Sequence, residues 1–80
     1  MGADVTLYSR PGCGLCEEAR EVLEAVRERI GFELREVDIS GDDVLERSYG
    51  VRIPVVVVDG EELFEISVDE EELEAALAGY

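Results

Sequence analysis

The chain carries two thiols, spaced as Cys13-Gly14-Leu15-Cys16. Two intervening residues place Cys16 about one helical turn beyond Cys13, close enough to attack a mixed disulfide formed on Cys13 and release a reduced product. The pair falls where the turn residues Ser9-Arg10-Pro11-Gly12 give way to a helical pattern. Unpaired backbone N–H groups and the positive end of the helix dipole favour an anion at such a place. A thiolate on Cys13 is therefore expected to be stabilised, with its pKa drawn below the free value of about 8.5. Cys13 is the candidate nucleophile and Cys16 the candidate resolving thiol. Gly12 and Gly14 leave room beside Cys13 for a substrate sulfur, although each is equally explicable as a turn former. Glu17 and Glu18 oppose thiolate formation if they fold toward the sulfur.

Other chemistries for the pair stay open at this point. Free cysteines pack like small hydrophobes, so an inert buried pair is one alternative. Structural zinc wants four nitrogen or sulfur ligands, and the chain has two thiols and no histidine, so a metal would have to bridge two copies. An iron–sulfur cluster shared by a dimer meets the same arithmetic. A disulfide closing so short a loop constrains the unfolded chain little, which makes the pair a chemical site before it is a staple.

The elements that must position the thiols are legible in the periodicity. Val5 to Tyr8 is a short run of β-formers ended by the Pro-Gly turn. Leu15, Ala19, Val22, Leu23, Val26 and Ile30 recur on one helix face, with Glu17 and Glu18 near the start, Arg27 and Arg29 near the end and Gly31 as an expected left-handed cap. Phe32 and Leu34, followed by a change of phase to Val37 and Ile39, predict an edge strand with a bulge. Ser40 and Asp43 have capping-box spacing ahead of a short helix with Val44, Leu45 and Tyr49, closed by Gly50. Ile53 to Val58 is apolar throughout, as in a central strand covered on both faces. Asp59-Gly60 signals a tight hairpin, with Phe64, Ile66 and Val68 expected on one face of the return strand. Ser67 and Glu70 again have capping-box spacing, before a last helix with Leu73, Ala76, Leu77 and Tyr80 on one side.

The predicted order is β-α-β-α-β-β-α. A strand–helix–strand start needs a parallel pair with a right-handed crossover, and the closing hairpin adds two antiparallel strands. The expectation is an α/β domain over residues 1 to 80, a four-stranded mixed sheet flanked by helices.

Composition bounds the function. Seven arginines, no lysine and no histidine stand against 21 acids, a formal charge of -14. Residues 53 to 80 alone hold nine acids and no base. A nucleic-acid backbone or an anionic membrane surface would be repelled. No apolar run approaches the roughly 20 residues needed to span a bilayer, and no basic-then-apolar leader opens the sequence, so the expected setting is cytoplasmic. A monomer is expected. The acidic last third is a solvated face or a surface that steers basic partners. A non-catalytic binding module with that surface is the alternative to an enzyme.

With these residues in view, the sequence resembles the thioredoxin superfamily and, within it, the glutaredoxin-like proteins. The resemblance is carried by Tyr8-Ser9-Arg10-Pro11-Gly12-Cys13-Gly14-Leu15-Cys16, by Tyr49-Gly50-Val51-Arg52-Ile53-Pro54-Val55, and by the closing hairpin plus helix. It implies a thioredoxin-like fold and a disulfide oxidoreductase acting through Cys13 and Cys16. It implies a cis Ile53-Pro54 bond whose backbone pairs with the substrate, and substrate contacts at Arg10 and Arg52. It implies no bound cofactor, a disulfide-containing protein or glutathione as partner, and glutathione or a reductase as the source of electrons. The sequence departs from the family at several places. Gly14-Leu15 stands where glutaredoxins usually have Pro-Tyr, and Gly12 where thioredoxins have Trp. Ile66-Ser67-Val68-Asp69 stands where glutathione-binding members have a Gly-Gly pair followed by an acid. Monothiol relatives that hold iron–sulfur clusters have Ser at the position of Cys16, so the second thiol here favours dithiol exchange.

Overall fold

In a computed structural model, which describes residues 2 to 78, the alternation of Val5 and Leu7 with Thr6 and Tyr8 becomes strand β1 (Asp4–Ser9). Its odd-numbered side chains are buried, and Thr6 and Tyr8 on the other face are half-buried. Helix α1 (Gly14–Arg29) follows and returns the chain to β2 (Glu33–Asp38), which pairs with β1 in parallel. Helix α2 (Asp43–Tyr49) leads to β3 (Val55–Val58), antiparallel to β1. A hairpin through Asp59 and Gly60, both at positive φ, gives β4 (Glu61–Glu65), and α3 (Glu70–Ala78) closes the order. The positive φ pair is the tight turn that an Asp-Gly sequence favours.

The four strands run β2-β1-β3-β4, so β2 is an edge strand and β3 is interior, as expected. The main core lies between one sheet face and the helices α1 and α3. Val5, Leu7, Val56 and Val58 from the sheet meet Ala19, Leu23 and Val26 of α1 and Leu73 and Leu77 of α3. Truncating a leucine to alanine in such a position costs about 2–5 kcal/mol, which makes these few side chains decisive in a small domain. Tyr8 on the opposite face stacks on Tyr49 at the end of α2, with ring centroids 4.3 Å apart. That contact places α2 against the second face.

Several local expectations are corrected. β2 pairs with β1 residue for residue without a bulge; the change of phase at Val37 reflects a strand with apolar groups on both faces. The irregularity lies instead in the β3–β4 pair, between Val56 and Val57, where Leu63 is the extra residue. Ser40 and Ser67 do not cap the helices. The side chain of Asp42 accepts from the Leu45 N–H at 3.0 Å, and that of Asp69 accepts from the Glu72 N–H at 3.0 Å. Ile30, in an extended conformation, caps α1, and Gly31 is not left-handed. The return strand stops at Glu65, and Ile66 leaves it with φ 73. Tyr80 lies outside the described residues.

Candidate functional site

Cys13 is the N-cap of α1. Its extended backbone, φ -95 and ψ 109, lets its carbonyl accept the first helical hydrogen bond from the Glu17 N–H at 3.1 Å. Its Sγ accepts from the Cys16 N–H at 3.1 Å, the place a Ser or Asp oxygen takes in an ordinary cap. The two cysteines are joined by a disulfide, with Cα atoms 5.2 Å apart. The thiols differ in access: Cys13 is half-buried, whereas Cys16 is fully buried. Incoming sulfur therefore meets Cys13 first. An N–H in that position would solvate a thiolate on Cys13 once the disulfide is reduced. Gly12, at φ 78, supplies a left-handed turn into the cap, and a Cβ added at Gly12 or Gly14 would meet nothing within 4 Å. Gly12 is thus required by conformation and not by crowding.

The Ile53-Pro54 bond is cis, as the resemblance implies. Tyr8 pairs with Val55, so the start of β3 lies at the end of the sheet from which β1 runs on into the Cys13 loop. Pro54 is buried, and the backbone of Ile53 has no intramolecular backbone partner among the described residues. Its N–H and C=O are the groups there that an extended chain could pair with. The loop is fastened from behind. The Ile66 N–H donates to the carbonyl oxygens of Arg52 at 3.0 Å and Pro54 at 2.9 Å. The Arg52 guanidinium lies 5.4 Å from the Tyr49 ring centroid, donates to the Ser48 carbonyl, and bonds Glu62 at 2.7 Å and Glu65 at 3.2 Å. Burial, helped by the neighbouring Tyr8, pushes the Tyr49 phenol above its ordinary pKa.

Cys13, Gly12, Gly14, Ile53 and Pro54 thus come to one end of the sheet. The two arginines expected to contact substrate are otherwise engaged. Arg10 forms an ion pair with Glu46 of α2, and Arg52 with Glu62 and Glu65 of β4. Sequence reasoning missed the Tyr8–Tyr49 stack and the tie from Ile66 to the proline loop. It also placed Leu15 on the buried face of α1, whereas Leu15 is 47% exposed beside the cysteines. In the first turn of α1 it is Cys16, not Leu15, that is buried. Among the described residues no group of three or more His, Cys, Asp or Glu side chains is arranged to hold a metal ion, and no helix is long and apolar enough to cross a membrane.

Comparisons with known proteins agree with this geometry. The pattern of the glutaredoxin-like domain (DUF836) matches residues 4–78. An uncharacterized protein of Mycobacterium tuberculosis is 34% identical, over 92% of this chain and 81% of its own length. The crystal structure of a protein from X. campestris superposes with a TM-score of 0.81 at 36% identity, covering 95% of this chain and 97% of that one. A mutant thioredoxin from Halobacterium salinarum gives a TM-score of 0.72 at 26% identity, covering 99% of this chain and 74% of the thioredoxin.

Proposed function

The chain belongs to the glutaredoxin-like domain family, and from that premise we propose that it is a thiol–disulfide oxidoreductase working through Cys13 and Cys16. The observation that carries this reading is the asymmetry of the pair. Cys13 is reachable and sits on the Cys16 amide at the start of α1, while Cys16 is sealed behind it. In the reducing direction the Cys13 thiolate attacks one sulfur of a substrate disulfide. A Cys13–substrate disulfide forms and the other substrate sulfur leaves as a thiolate. The Cys16 thiolate then attacks Sγ of Cys13 and releases the second substrate thiolate. The substrate has gained two electrons, and the Cys13–Cys16 disulfide holds the oxidation until an external thiol or dithiol reduces it. The Ile53 backbone beside Pro54 pairs with the substrate chain during the attack.

Two variants test the reading on a model protein disulfide, with products followed by mass spectrometry. Cys13→Ser is expected to abolish reduction. Cys16→Ala is expected to accumulate the mixed disulfide on Cys13; alanine is chosen because a serine hydroxyl at a fully buried position risks lying unpaired, at about 1–3 kcal/mol. Reduction by Cys13→Ser at the rate of the unaltered protein would overturn the mechanism.

A further inference from the structure

Of the four large apolar side chains that stand exposed among the described residues, three, all but Val44 of α2, belong to segments that meet at the dithiol end of the sheet, in a chain whose formal charge is -14. Leu15, between the cysteines, is 47% exposed; Val51, three residues before Pro54, is 95% exposed; Ile66 is 44% exposed. They come from three separate segments that the topology gathers. β1 runs into the Cys13 loop, and its antiparallel pairing with β3 brings the 51–54 loop to the same end. β4 ends opposite Val55, and the Ile66 amide is bonded to Arg52 and Pro54. Folding stability does not explain them. Val51 buries almost nothing, and Ile66 holds a positive φ that β-branched side chains rarely adopt.

The polar frame around these residues is negative. Arg10 and Arg52 are paired with Glu46, Glu62 and Glu65, and Glu17 and Glu18 follow Cys16 directly. Those seven side chains carry two positive and five negative charges. An anionic small thiol finds both nearby guanidinium groups already neutralised, and its carboxylates would have to displace the chain's own glutamates. A cationic group meets uncompensated acid.

We propose that the substrate of Cys13 is a disulfide in a basic polypeptide segment with apolar residues beside the half-cystine. Leu15, Val51 and Ile66 take the apolar side chains, and the surrounding glutamates meet the cations. The inference rests on the oxidoreductase reading, and the exchange is the two-step transfer already written, the two electrons returned by an external thiol or dithiol.

The test compares four disulfides reduced by the full, prereduced protein: neutral hydroxyethyl disulfide, glutathione disulfide, and two peptide disulfides. The peptides share apolar residues beside the cysteine but carry Arg or Glu flanks. At low salt the basic peptide is expected to react about tenfold or more faster than the acidic one, a ratio that falls toward unity as salt screens the field. Val51→Ser changes an almost wholly exposed side chain, so folding is not at risk, and it is expected to lower the ratio of basic-peptide rate to hydroxyethyl disulfide rate severalfold. Equal rates for the two peptides at low salt, or faster reduction of glutathione disulfide than of the basic peptide, would overturn the charge preference. An unchanged ratio in Val51→Ser would overturn the apolar contact. Failure to reduce even hydroxyethyl disulfide would overturn the oxidoreductase reading itself and the inference with it.

Discussion

The amide of Ile66 donates to the carbonyl oxygen of Pro54 at 2.9 Å and to that of Arg52 at 3.0 Å, and Ile66 itself, at φ 73, is the centre of a three-residue turn closed by the Ser67 N–H on the Glu65 carbonyl at 2.8 Å. The pairing ties the end of β4 to the proline loop at the dithiol end of the sheet. The turn puts a β-branched residue in a region that L side chains rarely enter. A side chain of this kind is tolerated where surrounding structure over-determines the backbone, and here the Ser67–Glu65 turn bond and the two bonds of the Ile66 N–H fix the chain on both sides of the residue.

Comparing Ile66→Gly with Ile66→Ala isolates that backbone term, because both remove the side chain beyond Cβ. At an ordinary position alanine is the more stable of the two by about 0.4–1 kcal/mol, through the unfolded chain. At Ile66 the order should reverse, glycine leading by about 1 kcal/mol, since only glycine takes the left-handed conformation freely. Urea unfolding midpoints at constant slope read the difference. An alanine variant as stable as the glycine variant would show that the turn relaxes without strain.

Cys13, the proposed nucleophile, is also the N-cap of α1. Cys13→Ser keeps an acceptor for the Cys16 N–H, whereas Cys13→Ala leaves it without its side-chain partner. Neither variant can form the disulfide, so their difference reports the cap alone. Serine should be the more stable by about 1 kcal/mol in denaturant unfolding. Equal stability would mean that the thiol position owes nothing to helix capping.

The order of elements could be read from the sequence because periodicity reports burial, and burial is what the sheet and α1 impose. Leu23, Val26, Val56 and Leu73 are apolar because they meet one another. Cap residues were less legible. Ser40-Gly41-Asp42-Asp43 and Ser67-Val68-Asp69-Glu70 each offer more than one capping side chain within a few residues, and only backbone conformation selects Asp42 and Asp69. In β2 the change of phase suggests a bulge because a half-exposed strand alternates, while a strand with apolar groups on both faces need not. At the site, the thiols and the proline declare themselves by residue type. The occupation of Arg10 and Arg52 by glutamates does not, because those pairs span 36, 10 and 13 residues of sequence.

Gly50 provides a test of packing against propensity. It follows α2 in a right-handed helical conformation, φ -49 and ψ -39, where replacing glycine by alanine ordinarily stabilises by about 0.4–1 kcal/mol. A Cβ there would collide with the carbonyl oxygen of Glu46, which belongs to the backbone and cannot swing aside. The same oxygen accepts the Gly50 N–H at 2.8 Å. Gly50→Ala is therefore expected to destabilise the protein, by about 1–3 kcal/mol if the last turn of α2 must shift. A thermal midpoint at or above that of the unaltered protein would show that the turn gives way freely.

Glu36 gives the fold a defined response to acid. Its carboxylate accepts from Nε and Nη2 of Arg20 at 2.8 and 2.7 Å and from the hydroxyl of the buried Ser9 at 2.8 Å, joining β2 to α1 and β1. The Arg20 hydrogen bonds are the main cause that holds the Glu36 carboxyl below its ordinary pKa of 4.5; partial burial opposes them and the Ser9 hydroxyl assists. A carboxyl whose folded pKa is depressed stabilises the native state in full above its unfolded value. That contribution is lost as pH falls through the lowered folded value. The pair is partly exposed, so the stabilisation is modest. Absolute stability is a poor readout, because acid also relieves repulsion in a chain of formal charge -14. The difference between the unaltered protein and Glu36→Gln cancels most of that background. In urea unfolding the gap should be constant from neutrality down to about pH 5 and close progressively below the ordinary carboxylate value. A gap that stays constant or widens in acid would mean that Arg20 and Ser9 do not hold the charged form of Glu36.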